Sequence, residues 1–288
     1  MIIAAEQLSP IFGAKISGFD LADDLTDETF EAIRQIWSKA GGLLVFHGQK
    51  LDIEAHIAFS RRFGPLFGEP GEASLQETVS RYIHPEHPEI YRVSNIVENG
   101  QPKGRKGAGT YWHSDVSFRE TPAQASILYA HEVPEVGGDT LFADMSGAYE
   151  ALSEAFKALL TPLYAWHDFE VAARRQYARP AVIEADMDGA NRARHPVVRT
   201  NPQSERKSLF VNPGFTSHLY GFNADESATL LGQLYGHAAR PEFSHRHRWR
   251  PGDVVIWDNR SVMHYAVCDY GEAPRYLERT TVISERPL

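Results

Sequence analysis

Trp112-His113-Ser114-Asp115 and the distant Trp257-Asp258-Asn259-Arg260-Ser261-Val262-Met263-His264 are the two segments on which the reading of this chain turns. Side chains alternate faces along an extended strand, so His113 and Asp115 are expected on one side of the backbone. His264, carried on another strand, would bring a second imidazole to the same point. Two histidines and one carboxylate on one face of a metal leave the other face open, which suits Fe(II) sites where a cosubstrate and O2 bind. An HxD triplet alone is weak evidence in a chain with 13 histidines, and satisfied core histidines are the simple alternative. The motifs around the triplet decide between them.

Working outward, Asp253-Val254-Val255-Ile256-Trp257 and the segment from Tyr276 to Ile283 read as strands. So do Leu43 to Phe46, Ile90 to Val93, Ser126 to Ala130 and Thr140 to Phe142, short apolar runs bounded by turn residues. Pro196 to Arg199 and Ser208 to Val211 bracket a polar turn and predict a hairpin. Thr26 can cap a helix that places Phe30, Ile33 and Trp37 on one face. A second helix over about 53 to 63 turns Ile53, Ile57 and Phe63 inward. Ser146 to Leu160 predicts a third, with Tyr149, Leu152, Phe156 and Leu160 on one face. Asn223 and Glu226 form a capping-box pattern ahead of a helix reaching Ala239. Residues 67 to 110, with a mobile Gly104 to Gly109, and residues 170 to 194, a candidate flap, read as irregular. No repeat or linker divides the chain. The expectation is mainly β with peripheral helices, a double-stranded β-helix (jelly roll), in a single domain over residues 1–288.

Composition excludes several classes of protein. With 42% hydrophobic and 23% charged residues the chain can bury an ordinary core, and no apolar run has the length of a membrane span. Met1-Ile2-Ile3-Ala4-Ala5-Glu6 lacks the features of a secretory leader. A single cysteine, Cys268, precludes an internal disulfide and points to a reducing, cytoplasmic setting. The net charge of −9 argues against nucleic acid as a partner, because Arg174-Arg175 and Arg246-His247-Arg248 are isolated clusters rather than a basic stripe.

Beyond the triplet, the ordered motifs are Gly137-Gly138-Asp139-Thr140, His195-Pro196-Val197-Val198-Arg199, Phe210-Val211-Asn212, Trp257-Asp258-Asn259-Arg260, and His264 followed by Arg275 and Arg279. Over nearly the whole chain they resemble the taurine dioxygenase (TauD/TfdA) family of Fe(II)- and 2-oxoglutarate-dependent dioxygenases. The resemblance implies that His113, Asp115 and His264 are the iron ligands. It implies that 2-oxoglutarate meets Arg275 and Thr140 through its far carboxylate, and that O2 is the second cosubstrate. Arg279 would take the substrate's anionic group, and Val116 and Phe215 would line its pocket. Succinate and CO2 are then the coproducts of an oxidoreductase. Halogenating relatives lack the carboxylate, so Asp115 favours hydroxylation.

The residues themselves support part of this. Arg275 and Arg279 are four apart, which in a strand puts both on the face of Leu277. Two inward arginines are costly unless each meets an anion, and a small organic anion is the expected partner. Taurine or another sulfonate stands first, in a taurine-catabolic role, with aryloxyalkanoates or alkyl sulfate esters as the alternative. Two departures weaken taurine. Phe67-Gly68-Glu69-Pro70 lacks the histidine those relatives use against the sulfonate, and Gly109 replaces their asparagine. His84, His87, Arg105 and Lys106 could substitute from the long loop or simply be solvated. Asp258 and Asn259 read as hydrogen bonders shaping the turn before His264, and His195, His245 and His247 as structural. A Zn or Mn hydrolase and a non-catalytic anion-binding protein are the rivals from other classes, and homo-oligomerisation is left open.

Overall fold

The computed structural model describes residues 3–75, 82–176 and 191–287, with 173–176 in backbone only. In chain order the strands begin with β1 (Ala4–Gln7), β2 (Ala14–Ser17), β3 (Leu43–Phe46), β4 (Tyr91–Ser94), β5 (Val97–Glu98) and β6 (Gln101–Pro102). β7 (Ala123–Glu132), β8 (Thr140–Asp144), β9 (Tyr164–Asp168), β10 (Arg192–Pro196), β11 (Val198–Thr200) and β12 (Lys207–Leu209) follow. The remainder are β13 (Thr216–Leu219), β14 (Ser244–His247), β15 (Val254–Asp258), β16 (Val262–Ala266) and β17 (Tyr276–Ile283).

A seven-stranded sheet in the order β1-β2-β3-β15-β7-β17-β4 lies against a three-stranded sheet in the order β14-β8-β16. Only the β2–β3 pairing in the large sheet is parallel. This is the jelly-roll architecture. The large sheet is covered on both faces, which explains why its central strands read as unbroken apolar runs. Leu44, Phe46, Val254 and Ile256 pack on the helices Asp27–Lys39 and Ile53–Arg61 through Phe30, Ile33, Trp37 and Ile57. Their alternating neighbours Leu43, Val45, Val255 and Trp257 face Phe142 and Val262 of the small sheet. A third cluster joins the helices Met145–Glu150, Glu154–Leu160 and Ala224–Ala238 to the β11–β12 hairpin.

Local expectations hold at the helix ends. The Thr26 side chain accepts from the Thr29 amide, and Asn223 and Glu226 form a reciprocal capping box. Among the described residues no helix is long and apolar enough to cross a membrane.

Four expectations need correction. His113 is not in a strand: it forms an isolated antiparallel bridge with His264, and a turn begins at Asp115. The cause is local, since Val116 has a φ of 56°, a left-handed backbone that ends extended pairing. The helix expected over 146 to 160 is two helices. Asp144 caps the first, and Ser153 starts the second by accepting from the Phe156 amide. Residues 169 to 176 are helical and Arg192–Pro196 is strand β10, so only 177–190 of the expected flap lie outside the described residues. Gly104 to Gly109 is fastened rather than free: Arg105 N–H donates to Arg92 O at 2.9 Å, and Gly109 O accepts from Ala266 N–H at 2.8 Å.

Replacing Asn223 removes the side-chain oxygen that accepts from the Glu226 amide. Asn223→Ala is expected to lower stability by about 1 kcal/mol, seen as a lower denaturant midpoint at constant slope, with Asn223→Asp close to wild type. An unchanged midpoint for Asn223→Ala would contradict the capping assignment.

Candidate metal centre and its pocket

His113 and His264 donate backbone N–H groups to each other's carbonyls at 2.9 and 2.8 Å. Such a pair places both side chains on one face, and the two rings lie 4.1 Å apart, centre to centre. The turn after His113 then brings Asp115 back onto that face. Its backbone N–H is held by Asn259 Oδ1 at 2.9 Å. Asp115 Oδ1 stands 3.7 Å from His113 Nε2, and Oδ2 stands 3.7 Å from His264 Nε2. One donor atom from each residue falls within 4.8 Å of the others, and all three residues are buried. Among the described residues no other such cluster occurs.

The protonation of the donors fits a divalent cation. His113 Nδ1 lies 2.8 Å from the Tyr111 carbonyl, which can only accept, so Nδ1 carries the proton and Nε2 offers its lone pair. Burial lowers the pKa of both imidazoles and keeps them neutral, the ligating form. Burial alone would raise the Asp115 carboxyl, but Arg279 and the Ser126 hydroxyl outweigh it and hold the group ionised. Arg279 Nη1 donates to Asp115 Oδ1, and Ser126 Oγ donates to Oδ2 at 2.7 Å. Asn259 braces this arrangement, donating to Ser126 Oγ at 3.0 Å and accepting from Trp257 Nε1 at 3.1 Å. Two neutral nitrogens and one anionic oxygen are a donor set for Fe(II), Mn(II) or Zn(II).

Glycine is required beside His113. A Cβ on Gly109, whose φ is +72°, would lie 2.7 Å from His113 Cε1, and one on Gly214 would lie 2.7 Å from His113 Cβ. The asparagine expected of taurine-oxidising relatives at position 109 would collide with the ligand ring.

The cluster opens into a cavity whose lining includes every residue expected at the site: His113, Asp115, His264, Thr140, Arg275, Arg279, Val116 and Phe215. Arg275 is its most telling member. Arg199 and Arg260 are equally buried, yet each reaches a carboxylate at 2.8 Å, Glu285 and Asp258 respectively. Arg275 is 4% exposed and has no carboxylate within salt-bridge reach among the described residues; its Nε is buried without a partner. Burial lowers its pKa from the ordinary value. A buried guanidinium costs several kcal/mol unless an anion meets it, and Thr140 lines the same cavity. The rest of the wall is largely apolar, with Phe118 stacking edge-on to both Phe169 and Phe215 at about 5 Å.

Several residues fall elsewhere. His84 and His87 pack on each other outside the cavity lining, Lys106 is exposed beside Glu272, and His195 bonds the Arg119 carbonyl. Arg105, in contrast, is buried and lines the cavity. Sequence reasoning missed Ser126, Phe118 and Phe169. A lone hydroxyl opening the run Ser126-Ile127-Leu128-Tyr129-Ala130 was the available signal for the first.

Known proteins resemble this chain over nearly its whole length. The profile of the family described as taurine catabolism dioxygenase TauD, TfdA matches residues 4–281. The alpha-ketoglutarate-dependent 2,4-dichlorophenoxyacetate dioxygenase of Cupriavidus pinatubonensis is 36% identical over 99% of this chain and 99% of its own. The alpha-ketoglutarate-dependent sulfate ester dioxygenase of Pseudomonas putida is 33% identical over 96% of this chain and 88% of its own. The crystal structure of AAD-2 in complex with Mn(II) and N-oxalylglycine superimposes with a TM-score of 0.81 at 32% identity, covering 100% of this chain and 99% of that one.

Because Ser126 fixes the Asp115 carboxylate, Ser126→Ala is expected to weaken metal binding about tenfold. Anaerobic titration with Co(II), followed by its visible absorption, reads this directly. Unaltered affinity in a folded variant would show that the hydroxyl plays no part in holding the ligand.

Proposed function

The chain belongs to the TauD, TfdA family and is an Fe(II)- and 2-oxoglutarate-dependent dioxygenase, an oxidoreductase, and on that footing we propose that its substrate is an aryloxyalkanoate. The observation that carries this reading is the composition of the cavity wall. Asp115 is its only acidic residue among the described ones, so nothing acidic remains to receive the ammonium of taurine once a metal holds that carboxylate. Tyr91, Val116, Phe118, Phe169 and Phe215 suit an aromatic ring instead. The choice thus moves from taurine, the first expectation, to the alternative beside it. The similarity to the 2,4-dichlorophenoxyacetate enzyme supports the same choice, and an alkyl sulfate ester is the second reading, favoured by the Pseudomonas putida relative.

In this reading His113, Asp115 and His264 hold Fe(II). Bound iron with 2-oxoglutarate supplies activation of O2 coupled to decarboxylation, giving succinate and CO2. Arg275 and Thr140 receive the distal carboxylate of 2-oxoglutarate. N-oxalylglycine, held with Mn(II) in AAD-2, is a diacid of the same length. Arg279 binds the substrate carboxylate with the guanidinium that otherwise pairs with Asp115, while its plane rests over the Tyr91 ring at 5.0 Å. Val116 and Phe215 press the aryl ring into position. The apolar wall excludes water and strengthens each charge pair within it. Hydroxylation beside the ether oxygen yields a hemiacetal that collapses to a phenol and an oxo acid. The exposed, unpaired Cys268 and the need to keep iron ferrous suit the cytoplasm.

Oxygen uptake and succinate release with aryloxyacetates, aryloxypropionates, alkyl sulfates and taurine test the assignment. An aryloxyalkanoate is expected to exceed taurine in kcat/KM by at least about a hundredfold, as a pocket without a partner for the ammonium implies. Taurine as the best substrate would overturn the proposal, and turnover on Zn(II) without O2 would favour the hydrolase rival. Arg279→Ala is expected to lower kcat/KM for the substrate about a hundredfold or more while 2-oxoglutarate affinity stays near wild type. Collapse of cosubstrate binding instead would show that the roles of the two arginines are reversed.

A further inference from the structure

Trp249 follows strand β14 and is buried outside the cavity lining, yet its indole Nε1–H donates to Thr140 Oγ1 at 2.9 Å. An indole nitrogen only donates, whereas a threonine hydroxyl has one proton and two lone pairs. With the indole on one lone pair, and no other hydrogen-bond partner for this hydroxyl among the described residues, its proton is left for the cavity. A hydroxyl that accepts one hydrogen bond also donates a stronger one.

The indole is itself clamped. The His247 ring meets it edge-on at 4.7 Å and 89°. His247 Nε2 lies 3.1 Å from Asp253 Oδ2, which also accepts from the Arg250 amide at 2.9 Å. Asp253 Oδ1 lies 2.6 Å from Nδ1 of His47, at the end of strand β3. Asp253 is fully buried and His47 partly exposed, so a polar chain runs from the surface to the indole's neighbour.

We propose that Trp249 is a positioning residue for the cosubstrate: it fixes the Thr140 hydroxyl as a donor to the distal carboxylate of 2-oxoglutarate. This rests on the reading of Thr140 as a cosubstrate contact. Trp249 touches neither metal nor substrate, so its influence is confined to cosubstrate affinity.

A double-mutant cycle of Trp249→Phe and Thr140→Val separates this role from plain packing. Affinity is measured anaerobically on the Fe(II)-loaded enzyme from the charge-transfer absorption that forms on adding 2-oxoglutarate. Trp249→Phe is expected to weaken 2-oxoglutarate binding about fivefold, the worth of one hydrogen bond. Fe(II) affinity, substrate KM and kcat at saturating cosubstrate should stay within about twofold of wild type. In the Thr140→Val background the Trp249 change should have no further effect. Equal effects of Trp249→Phe in both backgrounds, or none in either, would overturn the inference alone. No effect of Thr140→Val by itself would overturn the Thr140 assignment and the inference with it. Wild-type protein labelled with 15N-tryptophan and loaded with diamagnetic Zn(II) gives a readout free of folding effects. The Trp249 indole N–H resonance is expected to move when 2-oxoglutarate is added, and an unmoved resonance would count against the proposal.

Discussion

Two backbone hydrogen bonds between His113 and His264 hold together segments 151 positions apart, and the rest of the site is arranged around them. In a strand ladder this pairing would be one rung among many. Here it stands by itself at the margin of the small sheet, because the chain turns away at Asp115. The two imidazoles therefore share a face by backbone geometry rather than by side-chain reach. What remains is to bring a carboxylate to the same face, which the left-handed φ at Val116 and the Asn259 hydrogen bond accomplish. A β-branched residue in that conformation costs of order 1–3 kcal/mol, strain that the surrounding packing over-determines.

Charge then divides the cavity. Asp115 is ionised because Arg279 and the Ser126 hydroxyl outweigh the cost of burying it. Arg275 is buried in the wall of the same cavity, without a counter-ion of its own among the described residues. Beside the triad the cavity thus holds one arginine without a counter-ion among the described residues, and a second, Arg279, that bonds Asp115 and rests over the Tyr91 ring. The aryloxyalkanoate proposed as substrate, a small amphiphile with one anionic end, is chosen to suit that charge and the aromatic wall.

Most of the architecture was legible in the sequence because burial writes itself into residue pattern. Leu43 to Phe46 and Val254 to Asp258 are covered on both faces, and their unbroken apolar runs say so. The capping box at Asn223 is a purely local signal and appears as expected. His113, Asp115, His264, the two arginines, Thr140, Val116 and Phe215, expected at one site, all line one cavity. What stayed hidden depends on contacts between distant segments. The strand expected through Asp115 is a turn, since nothing in Trp112-His113-Ser114-Asp115 announces a positive φ at the next valine. The break near Ser153 was masked because Tyr149, Leu152, Phe156 and Leu160 keep their common face across it. Arg105 stayed open between a site role and a solvated loop because its burial goes with the Arg92 carbonyl that anchors the loop, a pairing no local pattern encodes.

Metal binding by three dispersed side chains is the claim everything else rests on, and anaerobic calorimetric titration of the metal-free protein with ferrous ion tests it most directly. The account predicts one equivalent bound per chain in the wild type and no measurable binding at the same concentrations in His264→Ala, with the secondary structure of that variant intact. A His264→Ala protein that still takes up one equivalent of ferrous ion with wild-type affinity would contradict it.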